Sequence, residues 1–360
     1  MRILLLSRPV VNAGDYLFSR KSLEAFEQLS PKTTVVTGHI SEDMNIEDIN
    51  GFNAIVAAGG PLYDNRFLTE KSFPILKYIG RMIPKLHFLS NGWYGNDAEK
   101  DSLNNYKFED IVMDNLKLIQ ERGGTFSCRD YISKYILKNN GIENVTMAGC
   151  TAWYDYDSMG VLKPLYYGKI RKIFISDQGI TKEHDRWPWK YAQMVDIIKL
   201  LQYLFPDAEL MFSFNGGIYT KYSREYNLKI CDLLKQNDIA YYDISGSDTG
   251  FALYDEIDLH IGFRMHSHIY CMSKRIPSVL ISEDARGIGL NTSIGLNDIR
   301  DFTVENGSIV PNKNMVKELE YYLDDLDECQ YKLLTSAYIR MNTIYQNNFV
   351  PFLRRICSND

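Results

Sequence analysis

Between residues 259 and 287 the chain reads LHIGFRMHSHIYCMSKRIPSVLISEDARG. Arg264, His266 and His268 fall within five positions, and Arg286 closes the stretch. An imidazole can give or take a proton near neutral pH. A guanidinium grips phosphate or carboxylate through two parallel hydrogen bonds. Together they suit acid catalysis on an anionic substrate. The apolar run 258–262 predicts a strand, and Arg264–Lys274 a helix. The cation and imidazoles then stand at a helix N-terminus, where the free N–H groups and the dipole favour negative charge. His266 and His268 lie about 200° apart round a helix, so only one of them can easily face a cleft. His266 is the candidate general acid, with His268 as a neighbouring candidate. His260, inside the strand, reads as a core histidine. His-x-His suits metal ligation on a strand better than on a helix, and no metal is expected.

Other residues with chemistry cluster just after apolar runs. Gly14 and Asp15 follow the first run, and Asp15 is expected to cap the helix behind it. Gly59 and Gly60 make a tight turn after the third run and could offer N–H groups to an anion. In FSCRD, Asp130 is placed to cap a helix, and Arg129 then stands at the mouth of a sheet. Arg286 is either paired locally with Glu283 and Asp284 or a second anion clamp. The segment SDQGITKEHDRWPWKY carries Asp177, His184, Arg186, Trp187 and Trp189, either a sugar platform or a loop tied down by its aromatic residues. No dinucleotide, Walker or nucleophile-elbow motif is present.

These residues need a scaffold that brings strand ends together. Short apolar runs alternate with longer periodic ones. Strands are expected at Arg2–Leu6, Thr33–Thr37, Ala54–Ala58, Leu86–Ser90, Thr125–Ser127 and Val145–Met147. Helices are expected at Asp15–Gln28, Glu70–Gly80, Phe108–Glu121 and Asp130–Asn139. After a tyrosine-rich link, 151–169, the alternation restarts through Ser278–Ser282 and ends in a helical tail interrupted at Pro351. Such alternation predicts α/β lobes with parallel sheets. The expected division is 1–165, 166–330 with the donor site, and a tail at 331–360. Ligands bind beyond the carboxyl ends of such strands, which is where the residues above fall.

Composition excludes some functions. The net charge is −6 over 360 residues, with no basic stripe of the kind that marks nucleic-acid binding. The six cysteines are scattered and include no C-x-x-C, as in a reducing compartment. The apolar run Ile3–Leu6 is too short for a signal sequence, and no run approaches ~20 apolar residues. A cytoplasmic protein is expected, with contact at the inner membrane face left open. The 25 tyrosines are either ordinary core and surface residues or rings that suit a cleft for ring-shaped ligands.

Taken in order, the motifs resemble those of the polysaccharide pyruvyl transferases. The matching positions are Gly14–Asp15, Gly59–Gly60, Ser127 with Arg129 and Asp130, the Arg264-Met265-His266 triplet, and Pro277 before Ser278–Ser282. The resemblance implies two Rossmann-like lobes facing a central cleft, similar to GT-B glycosyltransferases. It also implies transfer of the enolpyruvyl unit of phosphoenolpyruvate to a sugar of a polysaccharide such as a capsule or exopolysaccharide, forming a cyclic ketal. His266 would be the general acid. Arg129, Arg264 and Arg286 would hold the donor. Gly14, Asp15, Gly59, Gly60, His268, Asp177 and Trp187 complete the expected binding set. No cofactor is implied, and the acceptor is a free or lipid-linked sugar. A GT-B-type glycosyltransferase using a nucleotide sugar and a non-catalytic glycan-binding relative are the competing expectations.

Overall fold

The computed structural model describes residues 1–166, 168–179, 187–324, 326 and 331–358. His184, Arg186 and the side chain of Trp187 lie outside the described residues.

The first lobe is a six-stranded sheet: β1 (Arg2–Ser7), β2 (Thr34–His39), β3 (Ala54–Ala58), β4 (Lys85–Asn91), β5 (Phe126–Cys128) and β6 (Val145–Met147). Their order is β2-β1-β3-β4-β5-β6 and every pairing is parallel. Side chains alternate between the faces of a strand. Ile3 and Leu5 accordingly enter one core, whereas Leu4 and Leu6 enter the other. The first core continues into the second lobe, and the second core is confined largely to the first lobe.

The second lobe repeats the plan with β7 (Lys172–Ser176), β8 (Glu209–Phe214), β9 (Ala240–Asp243), β10 (Leu259–Gly262), β11 (Ser278–Ser282) and β12 (Ile299–Arg300). Here the order is β12-β11-β10-β7-β8-β9, again parallel. The strand order reverses beside β1 and β3 in one lobe, and beside β7 and β10 in the other. Crevices open at such switch points. The turns after β1, β3, β7 and β10 are the ones that carry Gly14–Asp15, Gly59–Gly60, Asp177 and Arg264–His266.

The lobes touch along the segments that follow the strands' carboxyl ends. Ala13 N donates to Asn215 O (3.0 Å), Gly246 N to Val11 O (2.7 Å) and Ala285 N to Gly95 O (3.0 Å). Arg20 pairs with Asp248 at 2.7 Å. The tail returns to the first lobe. Tyr345 and Phe349 pack on Tyr154 with centroids 4.9 and 4.7 Å away, and Asn348 Nδ2 donates to Met147 O (2.8 Å).

Some local expectations change. The helix expected over Glu70–Gly80 is only a 3₁₀ turn, Pro74–Tyr78, because Pro74 has no N–H to give an α-helical ladder. Asp15 is not the N-cap of its helix. The helix runs Ala13–Leu29 and Asn12 caps it, accepting from Gly14 N. A helix, Ala285–Ile294, follows β11 and begins at an Asp284 cap. In the tail, Pro351 sits in the first turn of Val350–Cys357 after the π-helical segment Tyr345–Phe349.

Candidate functional site

A pocket of about 80 Å³ lies between the lobes at the strand ends. Asn12, Asp15, Gly60, Pro61 and Arg129 line it from the first lobe, and Asn215, Arg264, His266, Glu283, Asp284 and Arg286 from the second.

The chain turns into the site at Gly262, whose φ of +156° and lack of a side chain let β10 pass close to Ser176. Arg264 then caps the Met265–Ser273 helix. Its backbone N–H donates to Ser176 Oγ (3.1 Å), and the same hydroxyl meets His260 Nε2 at 2.9 Å. His260 is a buried core residue, as its place within a strand implied.

His266 is buried, and its ring lies over Gly14 at the start of the Ala13–Leu29 helix. A Cβ at Gly14 would come 2.0 Å from His266 Nδ1. Only glycine permits this approach. The ring also leans on Phe18, with centroids 5.6 Å apart. Its Nε2 is buried and has no hydrogen-bond partner among the described residues. Burial, then Arg129, Arg286 and Arg264, pull its pKa down to about 3.

Arg129 is almost wholly buried behind the Asp130 N-cap of the Tyr131–Asn139 helix. Its Nε lies 3.5 Å from Asp130 Oδ2, yet Nε and Nη2 have no hydrogen-bond partner among the described residues. Burial lowers its pKa. A buried guanidinium with unsatisfied donors is costly, and an anion in the pocket would remove that cost.

Arg264 and Arg286 are differently placed. Arg264 binds Asp177 through both oxygens (2.7 and 2.5 Å). Arg286 binds Asp284 in the same manner (2.6 Å for Nη2 to Oδ2) and stacks 4.8 Å over Tyr94 of the first lobe. Burial opposes the charge on each, and the carboxylate partner outweighs it, leaving both pKa values raised. Both guanidiniums are therefore fixed cations with part of their field already balanced.

Asp15 sits in the first turn of the Ala13–Leu29 helix. Burial raises its pKa to about 6 against the pull of Arg286, Arg8, Arg129 and Arg264.

Of the expected site residues, Asp15, Gly60, Arg129, Arg264, His266 and Arg286 share the pocket. Gly14 lies directly under His266. Gly59, at φ +67°, packs its backbone against Phe18. Asp177 does not face the pocket, since both its oxygens hold Arg264 and one also accepts Asn215 N (3.0 Å). His268 points the other way, into the lobe, where its Nδ1 meets Ser278 Oγ at 2.7 Å. The helical spacing from His266 turns it there. Asn12 and Asn215 line the pocket without having been expected. Each is a polar residue just past a strand, which was the available signal. Among the described residues no His, Cys, Asp and Glu group could hold a metal, and no helix is long and apolar enough to cross a membrane.

Solved structures share this architecture. A UDP-N-acetylglucosamine 2-epimerase structure from Listeria monocytogenes is 13% identical, with TM-score 0.55 over 99% of this chain and 94% of that one. UDP-GlcNAc 2-epimerase from Neisseria meningitidis, bound to UDP-GlcNAc, is 10% identical, with TM-score 0.54 over 96% and 100%. An E. coli trehalose-6-phosphate structure bound with UDP-2-fluoro glucose is 8% identical, with TM-score 0.54 over 99% and 98%. At these identities the likeness establishes two Rossmann-like lobes in a GT-B-like arrangement. No curated protein matches the sequence. The family model for polysaccharide pyruvyl transferase matches residues 12–285, from the Asn12 cap to the start of the Arg286 helix. The chain belongs to the polysaccharide pyruvyl transferase family.

Proposed function

We propose that the protein moves the enolpyruvyl unit of phosphoenolpyruvate onto two hydroxyls of one sugar in a polysaccharide or its precursor, closing a cyclic pyruvate ketal. The supporting observation is the pairing of Arg129, a buried cation with unfilled donors, with His266, a buried imidazole with an unfilled Nε2, in one pocket between the lobes. Phosphoenolpyruvate carries a phosphate and a carboxylate, which suit Arg129 and the fixed cations Arg264 and Arg286. Burial first, and then three arginines, hold His266 neutral, and the donor's negative charge offsets the arginines and so strengthens the imidazole's hold on a proton when the donor is in place. His266 then protonates the methylene carbon. The neighbouring carbon becomes electrophilic, one sugar hydroxyl adds to it, phosphate departs, and the second hydroxyl closes the ring. No cofactor enters this scheme. The reaction is assigned to the cytoplasm, with the acceptor free or lipid-linked at the inner membrane face.

Thermal unfolding tests the reading. Phosphoenolpyruvate at about 100 times its Kd should stabilise the protein by about 2.7 kcal/mol, whereas UDP- and GDP-sugars should leave it unchanged. Stabilisation by a nucleotide sugar without any by phosphoenolpyruvate would move the protein to the glycosyltransferases.

A further inference from the structure

Ketal formation conserves protons in a way that His266 alone does not satisfy. Phosphoenolpyruvate and two hydroxyls give a methyl ketal and hydrogen phosphate. The methylene takes up one proton, the phosphate carries off another, and each hydroxyl gives one up. A group must therefore receive a proton from the sugar while His266 donates one to the donor.

We infer that Asp15 is the base that takes the proton from the first attacking sugar hydroxyl, working from the first lobe opposite His266 of the second. This rests on the pyruvyl-transfer reading above. Asp15, Glu283 and Asp284 are the carboxylates that line the pocket among the described residues. Glu283 accepts from Gly179 N at 2.9 Å and binds Lys190 Nζ. Asp284 caps its helix and holds Arg286 with both oxygens. Asp177, behind Arg264, is spent on that guanidinium. The Asp15 carboxylate has no hydrogen bond or ion pair among the described residues, and only its backbone is engaged, N–H to Asn12 O and C=O to Ser19 Oγ. A base needs free lone pairs, and Asp15 has them.

Its place is also right. Asp15 directly follows Gly14, over which the His266 ring lies, so acid and base are neighbours on opposite lobes. The charged groups acting on it are Arg286, Arg8, Arg129 and Arg264. Burial outweighs them and leaves a carboxylate titrating near the working pH, where a general base is most effective.

The step balances as follows. The π pair of the donor takes the proton of the His266 imidazolium. The hydroxyl oxygen bonds to the electrophilic carbon as Asp15 takes its proton. The second hydroxyl then displaces phosphate, whose bonding pair leaves with it, and that hydroxyl's proton ends on the phosphate. Asp15 returns its proton through solvent to His266, and both groups are reset.

The test uses the full-length protein, phosphoenolpyruvate, and a panel of methyl hexopyranosides, with water as the acceptor in controls. Phosphate release and donor affinity are measured for wild type, Asp15→Asn and Asp15→Glu. In Asp15→Asn, phosphate release should fall roughly 10²–10⁴-fold while phosphoenolpyruvate binds as tightly or more tightly, since a like charge has left the site. The fall of kcat/KM expected of the wild type below about pH 6 should vanish in Asp15→Asn, and Asp15→Glu should recover part of the rate. Near wild-type release by Asp15→Asn, or loss of donor binding in it, overturns the assignment and leaves pyruvyl transfer standing. A wild-type protein that binds no phosphoenolpyruvate overturns both.

Discussion

The two faces of the Met265–Ser273 helix carry His266 and His268, and burial brings both imidazoles down to a pKa of about 3. For His268 burial is the whole cause. Its Nδ1 meets Ser278 Oγ at 2.7 Å, the same hydroxyl meets His260 Nδ1 at 2.7 Å, and His260 reaches Ser176, which holds the Arg264 backbone. That chain fixes the turn that presents His266. For His266 three arginines add to the burial. A burial penalty lasts as long as the fold, whereas a penalty imposed by cations is relieved when an anion arrives. Two imidazoles with the same resting pKa are therefore unequal, and only the one facing the arginines can be switched by a substrate.

Substituting each histidine in turn gives the largest contrast. His266→Gln should cut phosphate release from phosphoenolpyruvate roughly 10²–10⁴-fold without lowering the unfolding midpoint. His268→Gln should instead cost about 1–3 kcal/mol of stability by disturbing the buried Ser278 contact, with turnover per folded molecule near wild type. Denaturant titration and steady-state rates on the same preparations decide it, and the reverse pattern would exchange the two roles.

Gly14→Ala sharpens the same contrast from the other lobe. The new Cβ would stand 2.0 Å from His266 Nδ1, so the imidazole must move. A displacement of about 1 Å costs roughly 10²-fold in rate. Turnover should drop by that order while His268 and the core are undisturbed. An unchanged rate would mean that the position of the His266 ring is unimportant.

The smallest effect is a titration. In the free protein both rings should stay neutral to about pH 3, below the unfolded value of about 6.5. The unfolded chain binds protons first in that window, so each ring withdraws stability as the pH falls from about 6.5 toward 3. Adding phosphoenolpyruvate should move the His266 ring resonances to a higher midpoint and leave those of His268 in place. Equal movement of both, or of neither, would erase the distinction.

Much of this arrangement was legible beforehand because strand ends announce themselves. An apolar run followed by glycine, an acid or a base marks the carboxyl edge of a parallel sheet, and that rule found Gly14, Asp15, Gly60, Arg129, Arg264, His266 and Arg286. The same rule passed over Asn12 and Asn215, which are polar, uncharged and chemically plain. It also gave Arg264 and Arg286 the same standing as Arg129. Their bidentate partners, Asp177 and Asp284, decide otherwise. Asp284 is two residues from Arg286 and is a candidate partner from the sequence, whereas Asp177 is 87 positions from Arg264 and is brought to it only by the pairing of β7 with β10.

The sequence by itself determined the alternation of strands and helices, the parallel sheets, and the strand-end address of nearly every group with chemistry, because hydrophobic period and turn residues are local properties. Tertiary structure alone decided which cations were already balanced, which carboxylate was left unpaired, and which histidine faced the other lobe. Those are matters of burial and of Coulomb contacts between residues far apart in the chain, and they exist only once the two lobes have met.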